Sequence, residues 1–191
     1  MSRLLLIDAM GTFYRSFFGM RPMLSPTGEP VHALFGFIRK VEQLRRELTP
    51  SHLAVVMEGG VPELRMELVP TYKAQRSPMP DDLRSQLPLL DRYLAAFGGG
   101  SFCSDGWEAD DAMASAAAQF TDAVDDVAIL TSDKDLFQMV GGTTRLVCVK
   151  GDPTLLADDY VIGKTGVRPD QIVDWLAMVG DSADNIPGVP G

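Results

Sequence analysis

Cysteine and histidine are scarce in this sequence, and so is positive charge. The 191 residues include two cysteines, Cys103 and Cys148, and two histidines, His32 and His52. Neither cysteine sits in a CxxC pair, which argues against a disulfide framework or a thiolate zinc site and makes a reducing cytoplasm the expected setting. Neither histidine lies near an acidic group, so acid–base chemistry falls to other side chains. No apolar run reaches the roughly 18 residues that span a bilayer. The first apolar run is short and ends in Asp8, which does not read as a signal peptide. Basic residues are outnumbered, 17 against 26 acids, for a net charge of −9. Phosphate backbones are usually met by an excess of Lys and Arg, so the distribution of charge has to decide whether a nucleic acid fits. Setting aside the nine acids singled out below leaves 17 acids against 17 bases, with room for a local basic surface.

What is present is an ordinary globular pattern, long enough for one domain with a substantial core or one domain plus a short appendage. Arg3 to Ala9 is a continuous apolar run closed by an acid, as in a parallel strand buried on both faces. Val31 to Leu48 carries apolar residues at helical spacing, and Pro50 follows it. His52 to Glu58 repeats the strand-then-acid pattern. Gly59 to Pro80 loses periodicity and mixes Gly, Pro and charge, which over such a length marks a functional or mobile segment. A helix is expected from Asp81 to about Phe97, stopped by Gly98-Gly99-Gly100. A short strand at Ser101 to Ser104, an Ala-rich helix from Trp107 to Phe120, strands at Asp126 to Ser132 and Thr144 to Val149, and a helix from Pro169 to Gly180 complete the reading. Strands alternate with helices, so the class is α/β with a central, mainly parallel sheet flanked by helices.

In open parallel sheets, ligands bind beyond the carboxyl ends of the strands. Acids fall at the ends of the predicted elements in five groups: Asp8; Glu58; Glu108 with Asp110 and Asp111; Asp133 with Asp135; Asp181 with Asp184. Each group alone fits a bland role as a turn, a helix cap or the acid-rich first turn of a helix. Together those roles explain poorly why the strand ends on one edge are acidic. Crowded carboxylates repel unless cations join them, and hard Mg²⁺ or Mn²⁺ ions prefer oxygen ligands. Two such ions can clamp both the attacking and the leaving oxygen of a phosphodiester, and this chemistry needs no histidine. The basic counterpart is Arg65, Lys73 and Arg76 around Tyr72, a mixture of phosphate-binding charge with an aromatic face that can stack on a base. A solvated loop explains that spacing about as well. Tyr14-Arg15 is a weaker instance of the same mixture.

In order, LLLIDAMGTFYR, VHALFGF, HLAVVMEGG, TYKAQRSPMPDDLRSQL, GWEADD, LTSDKD and GDSADNIPGVPG resemble the 5′-nuclease family. Its members include the 5′→3′ exonuclease domain of bacterial DNA polymerase I, stand-alone 5′-3′ exonucleases and the more distant flap endonucleases. The resemblance spans nearly the whole chain. It implies a PIN-like α/β catalytic domain over residues 1–180, with residues 181–191 as the start of a truncated helix–hairpin–helix element. It also implies Mg²⁺- or Mn²⁺-dependent hydrolysis by two or more ions, acting on DNA 5′ ends, flaps or RNA primers paired to DNA, by a cytoplasmic monomer. Matched by position, Asp8, Glu108, Asp110, Asp111, Asp133, Asp135, Asp181 and Asp184 correspond to metal-binding carboxylates. Lys73 and Arg76 correspond to residues engaging the scissile phosphate, and Tyr72 to an aromatic that stacks on the incoming nucleotide. Three features depart from the family pattern. Glu58 stands where an aspartate is usual. Ala9-Met10 replace small polar residues. The sequence also stops within the final motif, which points to a fragment of a longer protein.

Two alternatives fit fewer residues. A PIN-type ribonuclease lacks both the long basic segment and GDSADNIPGVPG. A decayed junction-binding module does not explain why the other eight acids are retained.

Overall fold

The computed structural model describes residues 1–190; Gly191, the last residue of the expected terminal element, lies outside them. In chain order the elements are β1 (Arg3–Asp8), α1 (Ala9–Gly19), α2 (His32–Leu48), β2 (His52–Val56), α3 (Glu63–Leu68), α4 (Asp81–Arg84), α5 (Leu87–Phe97), β3 (Gly100–Phe102), α6 (Ala109–Phe120), β4 (Asp126–Leu130), a 3-10 turn (Asp135–Met139), β5 (Thr144–Val147), β6 (Leu155–Leu156), α7 (Asp158–Thr165), a second 3-10 turn (Pro169–Gln171) and α8 (Ile172–Val179). No helix among them is long and apolar enough to cross a membrane.

The strands form one sheet in the order β3-β2-β1-β4-β5-β6, parallel except for β6. β1 is central, which explains its uninterrupted apolar run. Leu4 and Leu6 face one core with α6, while Leu5 and Ile7 face the other with α1, α2 and α5. Both layers must be apolar because side chains alternate along a strand. At the opposite end from the acids, Arg3 pairs with Asp126 through two N–O contacts of 2.7 and 2.6 Å across the β1–β4 ladder, which helps fix its register.

α/β alternation with a mainly parallel sheet is the expected architecture, and the boundaries differ in informative ways. The residues after β1, to which the sequence pattern assigns no element, turn at once into α1. The segment AMGTFYRSFFG contains glycine and several aromatics, a weak helix former by propensity. It is held instead by Asp8, whose side chain accepts the Gly11 N–H at 2.8 Å, and by burial of Ala9, Thr12 and Phe13 on one face. The expected helix from Asp81 to Phe97 is broken into α4 and α5 at Ser85-Gln86, just before Pro88 in the first turn of α5. β6 and α7 carry too short a pattern to be read from sequence.

The break in that helix frees Gln86. Its side chain is fully buried, and Oε1 accepts the N–H groups of Ala33 and Leu34 at 2.9 and 3.2 Å while Nε2 donates to the Asp82 carbonyl. Val31, at the N-cap of α2, offers no side-chain acceptor, so Gln86 caps α2 from another segment. Gln86→Leu keeps the volume but removes that acceptor. It should destabilise the chain by about 2 kcal/mol, lowering the thermal midpoint by about 4–8 °C. An unchanged midpoint in a calorimetric scan would show that α2 is capped in some other way.

Candidate metal centre

Because β1 to β5 run parallel, their carboxyl ends share one edge of the sheet. A cavity of about 890 Å³ opens there, lined by Asp8, Glu58, Glu108, Asp110, Asp133, Asp181 and Asp184. Asp8 closes β1 and caps α1, and Glu58 lies two residues beyond β2. Glu108 is the N-cap of α6, and Asp110 is in its first turn. Asp133 follows β4, while Asp181 and Asp184 follow α8. The loop from Asp181 to Ile186 is closed by a reciprocal pair of 2.8 Å backbone hydrogen bonds between those two residues. A close backbone approach holds the entry to α6. The Gly59 N–H donates to the Trp107 carbonyl at 3.0 Å, and a Cβ at Gly59 would strike the Ser104 carbonyl.

Two subsets are tight. Glu108, Asp110 and Asp111 each bring a carboxylate oxygen within 4.8 Å of the others, as do Asp135, Asp181 and Asp184. Burial pushes the Asp8 carboxyl up to about 6, a rise that the Gly11 hydrogen bond opposes and the charges of Glu58 and Asp133 reinforce. Burial and the neighbouring Asp111 push Asp110 up to about 7. Burial and Asp133 raise Asp135 to about 6. The Asp135 Oδ1 is buried without a hydrogen-bond partner. A set of oxygen donors alone, three of them reluctant to ionise and one buried oxygen unsatisfied, fits hard divalent cations such as Mg²⁺ or Mn²⁺.

The segment from Gly59 to Pro80 is more ordered than its sequence suggests. It contains α3, and it docks onto the acids. Arg65 donates to both carboxylate oxygens of Asp111 at 2.6 and 2.8 Å and to Glu108 at 2.7 Å. The Tyr72 hydroxyl reaches Glu108 at 2.6 Å and Asp184 at 3.0 Å. Lys73 pairs with Glu108, and Arg76 with Asp184 at 2.7 Å. Backbone contacts reinforce this docking. The Lys73 N–H donates to the Asp184 carbonyl at 3.0 Å, and Asn185 donates to the Thr71 carbonyl at 2.8 Å. Lys73 and Asn185 both hold left-handed backbone, with φ of 56° and 61°, a strained state for residues other than glycine.

The predicted site residues therefore fall into three places. Seven of the nine acids line the cavity together with Lys73, Arg76 and Tyr14. Asp111 and Asp135 stand just behind it, the former held by Arg65. Arg65, Tyr72 and Arg15 do not line it. Arg65 is expected from the sequence to meet phosphate, but it is occupied by two carboxylates. The Tyr72 ring is buried, with Lys73 4.9 Å from its centroid, so it offers no open face for stacking. Burial and the contact with Glu108 push its hydroxyl far above the usual phenol range. Arg15 lies two turns along α1 and opens into a separate cleft. Glu58 reaches across to accept the Ala109 N–H at 3.0 Å, a span that suits the extra methylene of glutamate. Lys134, not among the residues expected from sequence, lines the cavity and pairs with Asp181 at 3.3 Å. Its position between the two acids of SDKD was the available signal.

The profile of the family described as "5′-3′ exonuclease, N-terminal resolvase-like domain" matches residues 3–166. The chain belongs to this family. Among its relatives, DNA polymerase I of Pseudomonas aeruginosa is 40% identical over 188 residues, covering 98% of the chain but 20% of the polymerase. A 5′-3′ exonuclease of Aquifex aeolicus is 35% identical over 191 residues, covering 100% of the chain and 66% of that protein. The chain thus spans about a fifth of the first relative and two thirds of the second. Two solved structures share the fold of the domain. The T5 D15 protein co-crystallised with metal ions gives a TM-score of 0.79 at 17% identity, over 99% of this chain and 70% of that one. Human GEN1 in complex with Holliday junction DNA gives 0.62 at 21% identity, over 98% and 47%.

Two measurements test the electrostatics of the carboxylate cavity. Asp8, Asp110 and Asp135 hold protons more tightly folded than the ordinary 3.8 allows, with values of about 6, 7 and 6. The folded state therefore binds more protons than the unfolded one between about pH 4 and 7. Stability of the metal-free protein should fall as pH rises through that window, and millimolar Mg²⁺ should reverse the fall. Thermal midpoints in EDTA that stay flat or rise from pH 5 to 7.5 would contradict this. Removing the guanidinium in Arg65→Ala leaves Glu108 and Asp111 facing each other without it. A destabilisation of about 2 kcal/mol in EDTA is expected, read as a shift in the urea midpoint.

Proposed function

We propose that the chain is the catalytic part of a metal-dependent 5′ nuclease that hydrolyses phosphodiester bonds in DNA at 5′ ends and flaps during replication and repair. One observation carries this reading: carboxylates from five separate segments converge on the carboxyl edge of the sheet, opposite Lys73 and Arg76. Family membership and the DNA named with relatives of the fold support it.

Asp8, Glu108, Asp110, Asp111, Asp133, Asp135, Asp181 and Asp184 would hold the ions, with Glu58 at the rim. Mg²⁺ or Mn²⁺ bound there supplies Lewis acidity to the phosphate and lowers the pKa of coordinated water. Lys73 and Arg76 serve as the catalytic cations. They are paired to Glu108 and Asp184 in the structure, and they would donate to non-bridging phosphate oxygens, where charge grows in the transition state. Arg65 and Tyr72 act one layer back by fixing Glu108, Asp111 and Asp184. Tyr14, on the cavity wall and stacked with Phe18 at 6.4 Å between ring centroids, is the aromatic placed to meet a base. We read residues 181–191 as the beginning of a helix–hairpin–helix backbone clamp. We place the protein in the cytoplasm as a monomer, in keeping with its free cysteines; RNA primers paired to DNA remain within the substrate class.

Asp110→Asn and Asp133→Asn should each lower cleavage of a 5′-flap DNA in Mg²⁺ on the order of 10²–10³-fold or more, with DNA affinity changed by less than about threefold. Full activity in either variant would sink the assignment. Cleavage of single-stranded RNA in preference to the flap would favour a PIN-type ribonuclease. Tight flap binding with no cleavage by the wild type would favour a junction-binding module.

A further inference from the structure

A second cleft, separate from the carboxylate cavity, lies between α1 and α2 beside the loop after β5. It encloses about 680 Å³ and is lined by Arg15, Arg39, Lys40 and Arg46, with Gln43 and the hydroxyl of Ser16 between them. Four cations in one groove are unexpected in a chain with a net charge of −9. The only acid lining the groove, Glu42, is paired with Arg45 at 3.1 Å. Among the described residues, Arg15, Arg39 and Lys40 form no ion pair. Arg39 lies 5.8 Å from the centroid of Phe35, and Lys40 makes two long 3.4 Å hydrogen bonds, to Gln43 and to the Gly151 carbonyl. Burial holds the Lys40 ammonium below the usual lysine range, against the opposing influence of Cys148, Glu47 and Asp152 and with a smaller contribution from the Arg15 charge. Of the four cations only Arg46 is ion-paired among the described residues, with Glu47 at 3.3 Å, and such an excess of positive charge in one groove suits an anion.

The location of the cleft identifies the anion. Arg15 follows Asp8 by seven residues on the same helix, about 10 Å at 1.5 Å per residue. That is roughly three nucleotides of one strand at 3.4 Å each. We propose that this cleft is a phosphate-backbone track that holds, independently of sequence, the strand running away from the carboxylate cavity. The choice of nucleic acid as the polymer rests on the nuclease reading; the anion site itself does not. A track of this kind makes non-specific, salt-sensitive contacts and adds affinity without taking part in bond cleavage.

Arg39→Glu/Arg46→Glu tests it. Both side chains are exposed and neither holds the fold together beyond contacts with Phe35 and Glu47. Binding to a 5′-flap DNA with 24-base-pair arms is measured by anisotropy in Ca²⁺ from 50 to 200 mM KCl. The double variant should bind at least about tenfold more weakly, and its slope of log affinity against log salt should be shallower by about two. The rate at saturating DNA in Mg²⁺ should be unchanged. Arg39→Gln/Arg46→Gln should give the same change in slope with a smaller loss of affinity, which excludes a fold defect caused by the new acids. Unchanged affinity and slope in a wild type that cleaves DNA would overturn the track and leave the nuclease reading standing. A lost slope in a protein that never cleaves DNA would support the track while the nuclease reading falls. Polyglutamate displacing the DNA as effectively as unlabelled DNA does would overturn it in favour of an acidic protein partner.

Discussion

Mutual repulsion among carboxylates constrains this molecule more than any single contact does. The parallel sheet delivers acids from several strands to one edge. Burial raises the proton affinity of Asp8, Asp110 and Asp135 above the ordinary carboxylate range, and four basic or hydroxyl groups from the segment between β2 and α4 hold Glu108, Asp111 and Asp184. Two helix N-termini also serve this edge. Asp8 caps α1, and at the start of α6 the Asp111 side chain accepts the Glu108 N–H at 3.3 Å while Asp110 accepts the Asp111 N–H at 2.8 Å. The exposed N–H groups and the positive dipole end of each helix favour negative charge there.

The same repulsion explains why the long basic segment is built into the cavity wall rather than left as an open loop. Its residues neutralise acids that would otherwise face one another, and the left-handed backbone at Lys73 is held by hydrogen bonds and by the ion pair to Glu108. A cation arriving at those acids competes directly with Lys73 and Arg76. The state of the metal centre and the availability of these side chains are therefore coupled through shared carboxylates, with no need for a separate moving part.

α1 links the two charged regions of the surface. Its first residue follows an acid of the cavity, and its second turn carries Arg15 into a groove of opposite sign. A polyanion whose reacting phosphate lies at the cavity would find negative potential there until cations bind, and positive potential a few nucleotides away. The net charge of −9 hides this division because it sums two surface regions of opposite sign.

The fold class, the central strands and the acids at their ends were legible in the sequence. Apolar runs that end in carboxylates report burial on two faces and an exit at one edge, and both are local properties of the chain. The collinear motifs pointed to the family. The sequence did not disclose that α1 follows directly on Asp8, because that helix depends on a cap and on packing against α2 rather than on propensity. It did not disclose that Gln86 caps α2, nor that Arg65 and Tyr72 face carboxylates rather than solvent. Those contacts join residues separated by about 36 to 112 positions. By itself the sequence determined which charges exist and the edge where they emerge. The tertiary structure alone decided which of them touch, because the docking of one segment over α6 and the 181–186 loop sets distances of a few ångströms that no local pattern encodes.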